Sequence, residues 1–543
     1  MNYKTYFLFI LLLCFFFTDK TIPQDSNEPH GSLSIQRYAV KTVNDVYDNP
    51  LFVNVNLTDE SNPQNEPSVR ISRLNPDIIV AAWRDFRLGY DPPIRRIGYS
   101  YSTNGGTTWS VSQLLPSPLP EHATQSDPVL TSDNNGYFYI ATTSREQTNT
   151  RGETVVYKST NNGVNWVKYS TAAQSSAFED KEWIACDLVP GSPYFNSLNI
   201  TWTRIGGGGG IKFTKSTNGG LNWTTPVNVS NSSFGQGSNI AIGTNYYIYV
   251  VWQASGIRFD RSTNGGASFG TDYQLSSITS TGDTYPFICV DYSGHPTRGN
   301  VYVVFADSRQ GSRDIWFQRS TNAGTSWLAN PVRVNDVATN DQYWPAIQCD
   351  TNGVLYVIYY DERNSSSQVN SYIAYSTDAG DTWVNQRLSD MSFPLISVNS
   401  DVRIGDYIGI DAYANKVVPV WTDDRAGTPN QEIYTAQVDG LISVGITQNN
   451  VPQKYKLYQN YPNPFNPETV VKFDIPASGS DGVTVRLSVY DVLGREVIVL
   501  ADKKYSAGTY EFRWDASNVS GGVYFCKLTA GSFTDTKKMV LVK

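Results

Sequence analysis

One short signature, Ser-Thr-Asn/Asp-x-Gly-x-x-Trp/Phe, occurs six times in this chain of 543 residues. The copies begin at Ser102, Ser159, Ser216, Ser262, Ser320 and Ser376, with spacings of 57, 57, 46, 58 and 56 residues. The Asn or Asp side chain can bond to the backbone two residues on, and the glycine supplies the positive φ of a tight hairpin. The aromatic residue can wedge between neighbouring sheets. A repeat of this length predicts stacked supersecondary units.

This signature resembles the Asp-box (bacterial neuraminidase) repeat of sialidase-like β-propellers, and the resemblance covers residues 50–440. It implies an all-β propeller in which the Asp-box hairpins lie on the outer edges of the blades. The motif is therefore informative about the fold and says little about the chemistry of a pocket.

A second repeat is more numerous than the first and sets the number of blades. Seven apolar runs rich in aromatic and β-branched residues have the pattern of strands. They are Ile78–Trp83, Tyr137–Ile140, Leu198–Trp202, Tyr247–Trp252, Val301–Phe305, Leu355–Tyr359 and Val417–Trp421. The last unit ends at Glu432–Ala436 without an outer strand, whereas Phe52–Leu57 resembles the outer strands of other units. We therefore expect a seven-bladed β-propeller, closed by the N-terminal strand. Sialidases of known type have six blades, so this ring departs from them.

The two ends of the chain predict export. Residues 1–20 contain Lys4 and an apolar run from Tyr6 to Phe17, which is typical of a signal peptide. A linker is expected at 441–454 and a separate domain at 455–543. The apolar run is too short to span a bilayer comfortably, and no other segment is apolar and long enough to be a transmembrane segment.

The last domain carries the phrases YQNYPNPFNP at Tyr458–Pro467 and YDVLGREV at Tyr490–Val497. They resemble the type A C-terminal sorting domain of the type IX secretion system, a small Ig-like β-sandwich found in the Bacteroidetes. The resemblance implies the type IX secretion machinery as a partner and a cell-surface or extracellular location. The alternative is an ordinary structural domain of Ig-like type.

Composition excludes several classes of function. The formal net charge of −8 argues against nucleic acid as a partner, and it opposes an anionic ligand unless a local basic cluster overrides it. Only three histidines occur, without paired spacing, so we expect no histidine-based metal site or triad and no cofactor. Cys186, Cys289, Cys349 and Cys526 are scattered, which favours buried thiols over a disulfide framework.

Polar residues recur after the second strand of several units. The pattern aromatic-x-Asp-x-Arg, or a close variant, occurs at Trp83–Arg87, Phe305–Arg309, Tyr360–Arg363 and Trp421–Arg425. A pattern copied across units is typical of an Asp–Arg brace between loops. The alternative is that one copy belongs to a catalytic site.

The sialidase resemblance supplies the candidate catalytic residues. A sialidase holds its substrate carboxylate with an arginine cluster, uses a Tyr–Glu pair as nucleophile and an Asp as acid/base. Arg70, Arg87 and Asp91 follow the layout of the first blade, with Arg70 expected to open its first strand. Arg403 and Tyr407 are candidates for the third arginine and the nucleophile, and Glu182 for the glutamate partner.

Two functions from different classes remain open. One is a cell-surface propeller that binds glycans or glycoproteins without strong catalysis. The other is an exo-acting glycoside hydrolase of sialidase type. The degraded Arg-Ile motif, with Val69 and Ser72 as flanking residues, favours binding, and the spacing in the first blade favours hydrolysis.

The tail generates the first testable prediction. Deleting residues 455–543 should strand the rest of the protein in the periplasm, because the sorting signal is lost. Cell fractionation and surface proteolysis of cells that express the full and shortened chains measure this. Normal surface display of the shortened chain would show that the tail is a structural domain instead.

Overall fold

We describe a computed structural model that covers residues 52–117, 124–145, 152–232, 234–279, 285–399, 402–427, 429–438, 454–476, 483–505, 508–517 and 519–543. The expected signal peptide and nearly all of the expected linker lie outside these residues. Within them every regular element is a β-strand. They contain no helix long and apolar enough to cross a membrane.

Residues 52–438 form seven four-stranded antiparallel sheets. Sheet 1 contains β2 (Gln64–Ile71), β3 (Ile79–Asp85), β4 (Arg96–Ser102) and β5 (Gln113–Leu114). Sheet 2 contains β6 (Thr124–Ser132), β7 (Phe138–Arg145), β8 (Gly152–Ser159) and β9 (Val167–Gln174). Sheet 3 contains β10 (Phe178–Cys186), β11 (Leu198–Ile205), β12 (Gly210–Ser216) and β13 (Val227–Asn228). Sheet 4 contains β14 (Gln236–Ile242), β15 (Ile248–Gln253), β16 (Ile257–Ser262) and β17 (Tyr273–Ser276).

Sheet 5 contains β18 (Phe287–Val290), β19 (Val301–Gln310), β20 (Ser312–Ser320) and β21 (Val332–Arg333). Sheet 6 contains β22 (Gln342–Cys349), β23 (Leu355–Asp361), β24 (Asn370–Ser376) and β25 (Val384–Arg387). Sheet 7 contains β26 (Gly409–Tyr413), β27 (Lys416–Asp423), β28 (Glu432–Ala436) and, as its outer strand, β1 (Asn54–Asn56). As expected, the N-terminal strand completes the last sheet, with Asn54 opposite Ala436 and Asn56 opposite Tyr434.

The sheets form a ring around their innermost strands. The first strand of each sheet contacts the first strand of the next, and β26 of sheet 7 contacts β2 of sheet 1. Both faces of each sheet are covered, so the middle strands are mainly apolar: β3 and β23 are buried along their whole length, and their charged residues lie at their C-terminal ends. The propeller type of fold expected from the repeats is confirmed.

The repeat hairpin, which is the segment with the six-fold signature, joins the third and fourth strands of sheets 1 to 6. In the first copy Gly106 N–H donates to Ser102 Oγ over 2.9 Å, and Thr108 N–H donates to Asn104 Oδ1 over 2.9 Å. The Asn therefore bonds to the backbone four residues on, because the hairpin carries a longer turn than an Asx-turn alone. Gly106 has φ of 88°, in the left-handed region.

The aromatic residue of each repeat hairpin links one sheet to the one before it. Trp383 of the sheet 6 hairpin lies edge-on to Phe317 of β20 in sheet 5, with 5.3 Å between ring centroids. Trp166 packs on Tyr99 of sheet 1 in the same way, at 5.9 Å. The expectation that this aromatic wedges between sheets is confirmed.

The C-terminal domain is a β-sandwich. One sheet contains β29 (Lys456–Leu457), β30 (Glu468–Ile475) and β33 (Gly508–Asp515). The other contains β31 (Val483–Tyr490), β32 (Glu496–Tyr505), β34 (Gly522–Ala530) and β35 (Phe533–Leu541). Phe473, Leu487 and Met539 are fully buried in the core between the two sheets. All four cysteines outside the signal segment are buried and unpaired.

The close approach of hairpin and neighbouring sheet generates a stability prediction. A Cβ on Gly380, which has φ of 91°, would lie 2.2 Å from Phe317 Cε1. We expect Gly380→Ala to lower the free energy of unfolding by about 2–4 kcal/mol, because backbone strain and overpacking add. Gly206→Ala is the matched control, since Gly206 has φ of 82° but nothing lies within 4 Å of its Cβ position. Chemical denaturation of both variants measures the difference, and equal losses would mean that backbone strain alone acts.

Candidate functional site

The innermost strands place charged residues on the axis of the ring by means of a repeated bulge. In β2, β6 and β10 the register with the second strand shifts at Asn65/Ser68, Ser126/Val129 and Asp180/Trp183. The residues in these bulges, Glu66, Asp127 and Lys181, have φ of 55°, 54° and 53°. A bulge re-aims a side chain, and non-glycine residues rarely occupy this backbone region unless their surroundings hold them there.

These bulges surround a polar pocket of about 430 Å³ at the end of the axis where the first strands begin. We call it the axial pocket. It is lined by Glu66, Arg84, Arg95, Thr124, Ser126, Asp127, Thr143, Arg145, Phe178, Asp180, Lys181, Gln236, Tyr285, Arg403 and Asp406. Six of the seven units of the ring contribute to this lining, so only the closed ring assembles it.

Lys181 is the central cation of the pocket floor. Its Nζ lies 3.0 Å from Asp127 Oδ1 and also contacts Asp406 Oδ2, and both of these carboxylates are buried. Burial alone would lower the pKa of Lys181, but Asp127, Asp406, Glu66 and Asp180 together raise that pKa well above its usual value. Lys181 therefore stays charged and holds the floor together.

Two other carboxyl groups of the pocket are poised to hold a proton. Arg84 Nη1 lies 3.0 Å from Glu66 Oε1, yet burial outweighs this attraction and raises the pKa of Glu66 to about 7. Burial, with the nearby charge of Asp127, raises the pKa of Asp180 to about 6. Gln236 Nε2 donates to Asp180 Oδ2 over 3.2 Å. Both groups exchange protons within the physiological range.

The rim of the pocket carries three arginines, of which Arg403 is exposed and Arg95 and Arg145 are half-buried. The Arg403 side chain is 62% exposed, and its guanidinium lies 3.8 Å from Asp406 Oδ1. Arg145 ends β7 and lies over the ring of Phe178, with 5.5 Å from Cζ to the centroid. Arg95, in the loop before β4, also lines the pocket. This arrangement can receive an anion from solvent.

Three of the six residues predicted from the sequence lie at this end of the axis. Arg403 lines the axial pocket, whereas Tyr407 and Glu182 lie beneath it and line a separate cavity of about 20 Å³. The Tyr407 hydroxyl donates to the carbonyl of Pro128 over 3.4 Å, and burial raises its pKa well above the usual value. The Glu182 carboxylate accepts a hydrogen bond from Thr143 Oγ1. Among the described residues, no hydrogen bond joins Tyr407 to Glu182.

Arg70 lies at the other end of the ring, and the expectation that it opens its strand is wrong. The strand β2 begins at Gln64, so Arg70 is its penultimate residue. Gln64 is opposite Asp85 and Arg70 is opposite Val80, which separates Arg70 from the loop after β3 by about 20 Å along the sheet. Arg70 and Arg87 therefore do not approach each other.

Arg87 and Asp91 lie outside the residues that line the axial pocket. Arg87 Nη2 lies 2.7 Å from Asp85 Oδ2, and its Nη1 lies 2.9 Å from Glu60 Oε1. Its guanidinium also donates to Ser112 Oγ, next to the outer strand β5. Asp91 is exposed in the loop between β3 and β4.

The same Asp–Arg contact recurs within one turn in other sheets. The N–O distances are 2.8 Å for Arg309–Asp307, 2.7 Å for Arg363–Asp361 and 2.7 Å for Arg425–Asp423. In sheet 3 a glutamate from β10 replaces the aspartate, with Arg204 2.6 Å from Glu179. The arginines also reach the loop that follows the outer strand of the preceding sheet: Arg363 Nη2 lies 2.7 Å from Asp336 Oδ1, and Arg425 contacts Asp390. The interpretation of the repeated pattern as a brace between neighbouring loops is therefore supported.

The sequence contained a signal for the missed residues. Gln64-Asn65-Glu66-Pro67, Gln125-Ser126-Asp127-Pro128 and Gln342-Tyr343-Trp344-Pro345 share the spacing Gln-x-x-Pro. The third of these also carries the register shift and a positive φ, at Trp344. The residue before each proline is thus the bulge residue. The Gln-x-x-Pro pattern therefore identifies Glu66 and Asp127 as bulge residues from the sequence alone.

Comparison with protein families identifies the C-terminal domain. Residues 459–543 match the family model described as a secretion system C-terminal sorting domain. This match confirms the sorting domain predicted from the sequence. The chain is a secreted, cell-surface protein.

Solved structures resemble the propeller at low identity. One is a protein of unknown function from Dyadobacter fermentans, with 16% identity, a TM-score of 0.40 and coverage of 70% of this chain and 96% of that chain. A Penicillium chrysogenum α-L-arabinanase complexed with arabinobiose gives 14% identity, a TM-score of 0.44 and coverage of 60% and 98%. The NanB sialidase from Streptococcus pneumoniae gives 10% identity and a TM-score of 0.43, with coverage of 63% of this chain and 71% of that chain. No curated protein matches the sequence. These likenesses carry no information on the activity of this chain.

The raised pKa of Glu66 generates a prediction for stability against pH. A carboxyl whose pKa rises from 4.5 to about 7 on folding stabilises the fold at low pH, and this contribution is lost as pH rises through 7. Glu66→Gln, which is permanently neutral, should gain stability relative to the wild type between pH 5 and pH 8, by on the order of 3 kcal/mol. Denaturant titrations at several pH values measure this. Asp91→Asn, at an exposed site outside the pocket, should leave the pH dependence unchanged, and a parallel profile for Glu66→Gln would contradict the assignment.

Proposed function

We propose that this protein binds glycans at the cell surface, and that its axial pocket receives an acidic sugar residue. The observation that carries the proposal is the set of arginines at the rim, Arg95, Arg145 and Arg403, around a floor whose carboxylates are held by Lys181 and Arg84. Guanidinium groups bind carboxylates through two parallel hydrogen bonds, which suits the acid group of a sialic or uronic acid.

The charge of the pocket supports an anionic ligand. Among the described residues, the lining contains five cationic side chains and four acidic ones, and the acidic set includes Glu66 and Asp180 with raised pKa values. This described lining carries a net positive charge near neutral pH, within a chain whose net charge is −8. A local basic cluster here overrides the average field of the chain, and it attracts an acidic group from solvent.

An aromatic side chain at the rim fits a sugar ring. Phe178, at the start of β10, lines the pocket beside Arg145. Carbohydrates present apolar C–H faces as well as hydroxyls, and sites that bind them combine an aromatic surface with a few polar groups. The pocket volume of about 430 Å³ is of the size that holds one small ligand.

The second candidate is an exo-acting glycoside hydrolase. Glu66 and Asp180 favour it, because a carboxyl group with a pKa near 6 or 7 can act as a general acid. The position of Tyr407 weighs against a mechanism of sialidase type. Its hydroxyl is turned to a backbone carbonyl and lies in a cavity separate from the axial pocket. Binding is therefore the function that we propose first.

Calorimetric titration with acidic and neutral oligosaccharides tests the proposal. We expect sialyl- or uronyl-terminated oligosaccharides to bind and their neutral counterparts to bind at least tenfold more weakly. Arg145→Gln and Arg403→Gln should each weaken binding by roughly 10-fold to 100-fold, because each removes a charge-assisted hydrogen bond.

The matched control is Arg309→Gln, which removes an arginine of the same kind from an Asp–Arg brace outside the pocket. Its binding should equal that of the wild type. Equal losses in all three variants, or equal affinity for neutral sugars, would contradict the proposal. Turnover of a fluorogenic glycoside that is lost in Glu66→Gln would favour the hydrolase instead.

A further inference from the structure

A second and larger cavity lies along the axis of the ring, at the end where the first strands finish. Its volume is about 480 Å³, and its walls are formed mainly by the innermost strands of all seven sheets. The apolar part of the lining includes Val69, Val129, Ile184, Ile240, Ile288, Ile347 and Ile410. We call it the axial channel.

A layer of aromatic rings separates the axial channel from the axial pocket. Trp183 lies edge-on to Phe287, with 4.9 Å between ring centroids, and edge-on to Tyr407 at 5.6 Å. Trp183 and Phe287 line the axial channel, and all three rings line the small cavity beneath the axial pocket. The channel is therefore a site distinct from the one proposed to bind sugars.

The solvent end of the channel carries a buried pair of arginines. Arg70 and Arg73 line the channel, with side chains that are 15% and 10% exposed. They share one carboxylate, Asp411, at 3.5 Å and 2.9 Å. The Nε atom of Arg70 and the Nη1 atom of Arg73 are buried and have no hydrogen-bond partner among the described residues.

One carboxylate does not neutralise two guanidinium groups. Asp411 also accepts hydrogen bonds from the Ile71 N–H over 2.8 Å and from Gln348 Nε2 over 3.1 Å, so its oxygens are fully used. Asp350 is the one acidic residue in the lining, and it accepts backbone N–H groups of its own turn. The exposed Arg298 adds a third cation at this end. A positive charge is thus left over beside an apolar cavity.

We propose that the axial channel binds a free long-chain carboxylic acid. Its carboxylate is held by Arg70 and Arg73, and its hydrocarbon chain occupies the apolar channel. The volume suits one such molecule, and burying two guanidinium groups with unused donors is costly unless an anion completes the site. The ligand needs both parts, because the arginine pair matches the carboxylate and the apolar lining matches the hydrocarbon chain.

Calorimetric titration tests the proposal, with dodecanoate and octanoate below their micelle concentrations and 1-dodecanol below its solubility limit. Dodecanoate should bind with a stoichiometry of one. Octanoate, which is four methylenes shorter, should bind roughly 250-fold more weakly, because each buried methylene contributes about fourfold in affinity. Dodecanol should bind at least tenfold more weakly than dodecanoate, because it lacks the charge.

Two variants separate the two parts of the site. Arg73→Gln should remove the preference for dodecanoate over dodecanol and leave dodecanol binding intact. Ala412→Phe, which places a ring in the channel lining, should abolish binding of both. Circular dichroism and thermal unfolding establish that each variant is folded, and the Arg73→Gln result stands without the second variant.

Arg145→Gln is the control, since it changes the axial pocket and leaves the axial channel intact. This variant should bind dodecanoate like the wild type. A failure of the proposed sugar binding in the axial pocket can therefore be distinguished from a failure of the proposed fatty-acid binding in the axial channel. Equal affinity for dodecanoate and dodecanol in the wild type would overturn the proposal. So would unchanged binding in a folded Ala412→Phe, or binding to fatty-acid vesicles without binding of the free acid.

Discussion

The closing of the ring is the constraint on which the rest of the structure depends. The outer strand of sheet 7 comes from Asn54–Asn56 and its inner three strands come from the other end of the repeat region. This pairing fixes the last sheet, and the contact of β26 with β2 then completes the circle of innermost strands. Because closed rings have no long exposed edges, the architecture also limits association through strand edges.

Closure determines the chemistry of the axis. The innermost strands run in one direction relative to the axis, so that the residues at their starts meet at one end and those at their finishes meet at the other. At one end the bulges bring Glu66, Asp127 and Lys181 together, and at the other the strand ends bring Arg70 and Arg73 beside Asp411. Aromatic rings between the two ends keep the polar pocket apart from the apolar channel.

The two ends use charge in different ways. In the axial pocket Lys181 is surrounded by carboxylates, and the competition between burial and attraction leaves Glu66 and Asp180 ready to exchange protons. At the mouth of the channel the cations are in excess. Burial and the neighbouring Arg73 lower the pKa of Arg70 to about 10, which still leaves it charged at neutral pH. We therefore propose an anionic ligand for both ends of the axis, and the polar or apolar lining of each cavity determines which kind of anion fits.

The sequence by itself determined the repeat architecture, the pairing of the N-terminal strand with the last unit and the sorting domain. Each of these depends on local signals: the glycine and aromatic of the hairpin, the alternation of strands and the phrases of the tail. The candidate site could be predicted only in part. Arg403, the candidate third arginine, lines the axial pocket, whereas Arg70 lies at the end of β2 and not at its start, because β2 begins at Gln64.

Only the tertiary structure decided which side chains meet. The residues of the axial pocket come from six units, and no spacing along the chain relates Lys181 to Asp406 or Arg84 to Arg403. Their convergence depends on the β-bulge in each of three innermost strands, which turns Glu66, Asp127 and Lys181 toward the axis. A slip of one residue in a strand moves every side chain to the other face, so small register shifts decide the site while the repeats decide the fold.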